Sequence, residues 1–273
     1  MLFNLLSSTL EKRPAFFLES LGRKEEIMSI ISFGNCNFNC PYCKRDGQFK
    51  DIDGNIIHSI SLEWQDLKPL IDKACQCGTR IRLSGGDPCT APQQSLFIAQ
   101  YVWHTYKQKI SIAHNGSKPD FIKALLPYLA YAAIDIKGDE TTSAKRSGMP
   151  QNTSSKLLEC SLATQKFCSD NGVLVDVRTT IFKDTTEIEL QKIAQSILNA
   201  NSANIDKVFW TIRKYSSIPS CSFKTMPVEQ MINLCQNIKN KYPTISMGMR
   251  DNWINSGFKV FTSGERKIGS FQI

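Results

Sequence analysis

The stretch FGNCNFNCPYCKRDG places Cys36, Cys40 and Cys43 at offsets of four and then three residues. Gly34 and Pro41 favour a loop over a regular element, so three thiolates can turn toward a common centre. A single tetrahedral zinc would need a fourth ligand. The nearest candidates, His58 and Cys75, lie outside this segment at irregular spacing. Ordinary ferredoxin-type iron–sulfur sites also take four cysteines. Three cysteines with no evident fourth suggest a cubane cluster with one iron left open, and zinc stands as the alternative.

Further groups suited to chemistry follow in order. LSGGDPCT carries Ser84, Gly85, Gly86 and Asp87. Its glycines let backbone approach a ligand closely, and its carboxylate can accept hydrogen bonds from an ammonium. An ordinary Gly-Gly-Asp-Pro turn would look the same. YAAIDIKG carries Asp135 and Lys137 two apart, hence on one face of a strand, as a ligand-binding pair or a structural ion pair. AHNGSKPDFIKAL offers His114 and Asn115, VDVRTTI offers Arg178, and FWTIRKYSS offers Trp210 and Arg213, expected to face a cavity. Trp210 reads as bulk that fills it. Cys75, Cys77 and Cys89 lack a paired spacing and read as lone small hydrophobes.

The elements that must position these groups alternate. From Ile27 onward, short β-branched or aromatic runs alternate with stretches of helical period, the pattern of βα units around a parallel sheet. Strands are expected at IMSIISF, TRIRLSG, KISIAHN, YAAIDIKG, VLVDVRTTI, DKVFWTIRK and TISMGM, giving six or seven units. Leu67, Leu70, Ile71 and Ala74 share one helical face behind an expected Ser61 N-cap. Thr186 and Glu189 form a capping-box pattern ahead of Leu190, Ile193, Ala194 and Ile197. Each chemical group falls at or just after a strand end, where an α/β fold gathers its chemistry. The expected division is an N-terminal extension over 1–26, an α/β partial barrel over 27–250 and a tail over 251–273.

Composition bounds the rest. The chain has 273 residues, of which 41% are hydrophobic, enough for one large core. MLFNLLSSTL has no basic residue before it and meets Glu11, Lys12 and Arg13, so it fits neither a signal peptide nor a membrane span. Ten cysteines in such a chain point to free or metal-bound thiols and a cytoplasmic location. The net charge of +8 is scattered and makes nucleic acid an unlikely partner.

CNFNCPYC resembles the CxxxCxxC signature of the radical S-adenosylmethionine (SAM) enzymes, with Tyr42 before the last cysteine as in many members. The resemblance implies an α/β fold, a partial (β/α)6 barrel, in which Cys36, Cys40 and Cys43 hold three irons of a 4Fe–4S cluster. SAM chelates the fourth iron and is cleaved reductively to a 5′-deoxyadenosyl radical that abstracts hydrogen from a substrate. GGD at 85–87 resembles the family's GGE motif, with Asp for the usual Glu. Ser84, Gly85, Gly86 and Asp87 would then hold the methionine moiety, and Tyr42 the adenine side. Asp135 and Lys137 resemble the D-x-K motif of the glycyl-radical activating enzymes. Asn115 and Arg178 match the branch's positions near SAM, while Ala113 and His114 replace its Asp-Thr.

The resemblance implies a reductant such as flavodoxin or ferredoxin. It also implies one of two substrates: a glycine in a partner glycyl-radical enzyme, or a small molecule, nucleotide or peptide altered by a stand-alone tailoring enzyme. A zinc-stabilised RNA-binding protein is the reading from a different class.

Overall fold

The computed structural model describes residues 1–43, 58–218, 221–250 and 258–261. In chain order the elements begin with β1 (Leu2–Leu5), β2 (Glu11–Pro14), α1 (Phe17–Ser20), β3 (Ile27–Phe33), β4 (Ile60–Glu63), α2 (Trp64–Gln76) and β5 (Arg80–Gly85). They continue through α3 (Pro92–Tyr106), β6 (Ile110–His114), α4 (Pro119–Leu125), β7 (Leu129–Asp135), α5 (Ser143–Ser147) and α6 (Ser154–Asp170). The last are β8 (Leu174–Ile181), α7 (Glu187–Asn201), β9 (Val208–Lys214), α8 (Val228–Lys241), β10 (Ser246–Arg250) and β11 (Phe258–Phe261).

One sheet runs β11-β10-β9-β8-β7-β6-β5-β3-β1-β4, with β2 also paired to β3. The strands from β3 through β5 to β10 are parallel, the upper of the two counts expected from the sequence. Their outward side chains, among them Ile81, Ile112, Ile134, Val177 and Ile212, form with the helices the main core. Strands buried on both faces favour such β-branched runs.

Inside the sheet's curve a smaller cluster of Met28, Ile30, Tyr131 and Phe209 meets Ala15, Phe17 and Leu18 from α1 and its approach. These residues come from the first half of each strand, so α1 plugs the N-terminal end of the barrel. Phe17 stacks edge-on against Tyr131 at 5.5 Å. Burying each such side chain contributes about 1.5–3 kcal/mol.

Several expectations change here. Residues 1–26 do not stand apart, because β1 and β2 pair antiparallel with β3 and α1 enters the barrel. Part of the expected tail, β11, pairs with β10, and the rest of it lies outside the described residues. Ser61 is not an N-cap: Ile60–Glu63 is held as a strand by β1, so α2 starts at Trp64 after Glu63, which makes no side-chain cap bond. The capping box is half formed. Thr186 Oγ1 accepts from the Glu189 N–H at 3.2 Å, but the Glu189 carboxylate turns to Arg146. Trp210 does not face the cavity. It is fully buried on the helix side, its Nε1 donating to Thr179 Oγ1 at 3.0 Å. Trp210 and Arg213 are three apart on one strand and must face opposite ways.

Candidate active site at the strand ends

The cysteine loop leaves the end of β3 and is held from two sides. From β5, Gly86 N–H donates to Phe33 O and Asp87 N–H to Asn35 O, both at 2.7 Å. Gly85 has φ +108°, and a Cβ there would collide with the Phe33 backbone; one at Gly86 would collide with Asn35 O. These glycines admit the loop's backbone, so close approach is needed by the protein's own chain. On the other side, Asn39 N–H donates to Ser147 O at 3.0 Å, and Gly148, at φ +67°, leaves no room for a Cβ against Asn39 O. Sequence reasoning missed Gly148; its one signal was a glycine just past a short helix.

Asp87 is 1% exposed. Its Oδ1 accepts from Cys89 N–H at 2.9 Å and from His114 Nδ1 at 2.8 Å, and its Oδ2 accepts from Asn115 N–H at 2.7 Å. Lys118 N–H donates to His114 Nε2, which leaves the ring proton on Nδ1, facing the carboxylate. Burial alone would raise the Asp87 carboxyl, but His114 and the two backbone N–H groups outweigh it and hold it below the ordinary range. Asn115 donates to Asn37 Oδ1 at 2.8 Å, and Asn37 donates to Ser117 Oγ at 2.8 Å. Asp87 and Asn115, expected at SAM, therefore join the ends of β5 and β6 to the cysteine loop. Asp87, Cys89 and His114 bring ligating atoms within 4.8 Å of one another, but the carboxylate and the ring are committed to these bonds.

The groups that face open space form a cavity of about 490 Å³. Cys36, Cys40, Cys43, Tyr42, Ser84, Asp135, Lys137 and Arg178 line it, and so do Gly85, Gly86, Asp87 and Asn115. Lys137 Nζ donates to Asp135 Oδ2 at 2.6 Å and lies 5.8 Å from the Tyr42 ring centroid. Burial would lower the lysine, but Asp135 holds it well above its ordinary value. Tyr42 packs edge-on against Phe182 at 4.9 Å, and its buried hydroxyl has no partner among the described residues. Burial pushes the Cys36 thiol up and that of Cys40 to about 12. Metal binding would displace these protons. Three thiols in one loop beside an open cavity fit the ligands of a cluster.

The Radical SAM superfamily matches residues 30–211 of the chain, two-thirds of its length. The chain belongs to this superfamily. A 4Fe–4S cluster and SAM are accordingly its cofactors, it is an enzyme, and the reading as a zinc-stabilised binding protein falls away. It is 28% identical over 99 residues to a GTP 3′,8-cyclase from Campylobacter fetus subsp. fetus (strain 82-40), covering 36% of this chain. The chain spans only 30% of that relative's length. Among solved structures it resembles a radical SAM methyltransferase from Sphaerobacter thermophilus, with a TM-score of 0.60 at 13% identity, covering 89% of this chain and 69% of the other. Methylornithine synthase (PylB) gives a TM-score of 0.57 at 13% identity, over 81% and 63% of the two chains. At such identity these structures speak for the fold alone. No helix of the described residues is long and apolar enough to cross a membrane.

Sequence reasoning also missed the inner wall. Arg82, Asp176, Thr211 and Arg250 line the cavity with Arg178 and Arg213. Their signal was charge at period two on strands whose alternate positions are apolar, as in Asp176 and Arg178 between Val175, Val177 and Thr179.

Proposed function

We propose that this chain is a radical SAM tailoring enzyme that abstracts hydrogen from a small molecule held inside its barrel. The observation that carries the reading is the cavity. It runs from the three cysteines to the inner faces of the strands and is walled on a further side by Glu11–Phe17. A substrate reaching the cysteines would thus be surrounded by protein, which suits a small molecule better than a loop of a large partner.

In this reading Cys36, Cys40 and Cys43 hold the cluster. Lys137, Asp135 and Arg178 take up the charges of SAM, Ser84 adds a hydroxyl, and the Tyr42 ring faces the adenine. When bound, cluster and SAM together supply hydrogen-atom abstraction after one-electron reduction by a flavodoxin- or ferredoxin-type partner. The protein's share is orientation and exclusion of water. Gly85, Gly86, Asp87 and Asn115 contribute by fixing the loop that carries the thiols.

A second reading, activation of a glycyl-radical enzyme, rests on the Asp135–Lys137 pair at the end of β7, whose 2.6 Å bond suits the D-x-K resemblance. One experiment addresses both. Anaerobic reconstitution with iron and sulfide, then dithionite and SAM, should yield 5′-deoxyadenosine, and Cys40→Ala should abolish it. Cleavage that survives Cys40→Ala would refute the cluster assignment. A doublet glycyl signal in electron paramagnetic resonance with a partner protein would favour the second reading over the first.

A further inference from the structure

The needs of cluster and SAM leave the inner wall unexplained. Arg82, on β5 two residues below Ser84, lines the cavity yet is only 2% exposed. Its Nη1 lies 2.9 Å from the Met28 sulfur, and its Nη2 has no hydrogen-bond partner among the described residues. A guanidinium is costly to bury, and more so with a donor left unmade.

Three further arginines surround the same space. Arg178 stands beside Asp135 across β7 and β8, and Arg213 stands beside Arg250 across β9 and β10. Burial and the nearby Arg178 push the guanidinium groups of Arg82 and Arg213 down, each to about 9. Two carboxylates face in among them, and both are engaged: Asp135 with Lys137, and Asp176 with Arg178 and Thr211. Among the described residues, eight Lys and Arg side chains line the cavity with four carboxylates.

The cofactors do not offset this excess. SAM, with a sulfonium, an ammonium and a carboxylate, is a net monocation. A cluster in its 2+ form on three thiolates is a net monoanion, so the two cancel. Depth separates Arg82 from the amino-carboxylate end of SAM as well. Met28, beside Arg82, lies five residues before Phe33 on β3, or about 16 Å of strand below the cysteine loop.

We propose that the substrate carries a multiply charged oxyanion, phosphate or carboxylate, which seats on Arg82, Arg213 and Arg250 in the barrel interior. This rests on the radical SAM reading of the cysteine loop. Guanidinium forks bind both anions in bidentate fashion, and the fold leaves at least the Arg82 fork incompletely used. The substrate then lies with its anionic end toward the aromatic plug and its reacting carbon toward the cysteines.

The test is calorimetric titration and thermal denaturation of the reconstituted holoenzyme with saturating SAM, using pyrophosphate in one arm and citrate in the other. At least one anion should bind and raise Tm with concentration, and the arm that does so identifies the anion's source. Arg82→Met should weaken that binding at least tenfold while leaving the anion-free Tm equal or higher, since it removes a buried, underpaired charge. Arg213→Gln should give the same tenfold loss and serves if Arg82→Met does not fold. No binding of either anion to the wild type at millimolar concentration would overturn the proposal. So would equal affinity in wild type and variants, which would mark a surface site. SAM cleavage measured alongside separates the two ideas: intact cleavage without anion binding sinks this inference alone.

Discussion

Replacing Asp87 with Asn tests whether this carboxylate is a scaffold or a ligand contact. In the structure its two oxygens accept three bonds at 2.7–2.9 Å, from two backbone N–H groups and the His114 ring. Asn keeps one acceptor and puts an NH2 where the other was, so at least one buried donor would face a donor. Losing a charge-assisted bond and leaving its partner unmade costs about 1.5–3 kcal/mol, and weakening the other bonds brings the total to about 3 kcal/mol. For a chain of this size that is a fall in Tm of roughly 6–12 °C. The assay is thermal denaturation of the metal-free protein, with SAM affinity of the reconstituted protein measured beside it. A Tm within a degree or two of wild type, together with lost SAM affinity, would refute the scaffold role. The pH dependence follows in sign. The Asp87 carboxyl is held below its ordinary range, so its stabilisation is complete above the unfolded value of about 3.9 and is lost as pH falls below it through the folded value. Asp87→Asn should therefore lose this part of the acid transition, which lies below about pH 4.

Two further outcomes are expected. Gly148→Ala, which sets a Cβ against Asn39 O and strains a residue at φ +67°, should lower iron incorporation on reconstitution while circular dichroism shows the fold retained; full iron loading would remove Gly148 from the loop's support. Arg146→Ala should destabilise by about 3–5 kcal/mol in chemical denaturation, because it leaves Glu189, 5% exposed, charged and unpaired in the packing of α5 against α7; a change under 1 kcal/mol would contradict the pairing.

The parts of this protein that its sequence determined are local in kind. Spacing alone put three thiols in one loop after a strand, and period two put Asp135 and Lys137 on one face, because both patterns follow from backbone geometry over a few residues. The alternation of strands and helices fixed the α/β class for the same reason, and the apolar face of α7 was read correctly, with Leu190, Ile193, Ala194 and Ile197 all buried.

Errors arose where a residue's partner is distant in sequence. Ser61 had the chemistry of an N-cap, yet β1, near residue 1, captured it into a strand. Glu189 had a capping role available and gave its carboxylate to Arg146. Trp210 was assigned to the cavity beside Arg213, although strand alternation sends them to opposite faces; here the signal was present in the sequence.

The site divides along the same line. Gly85, Gly86, Asp87 and Asn115 carry a recognisable motif, but the motif alone could not say whether its atoms serve a ligand or the loop next to it. In the structure they make hydrogen bonds to the loop and its surroundings, at Asn35, Cys89, His114 and Asn37, and also line the cavity. The inner wall needed the curved sheet itself. Arg82, Arg178, Arg213 and Arg250 come from four strands spread across the chain, and only the curvature of the parallel sheet turns them toward one space.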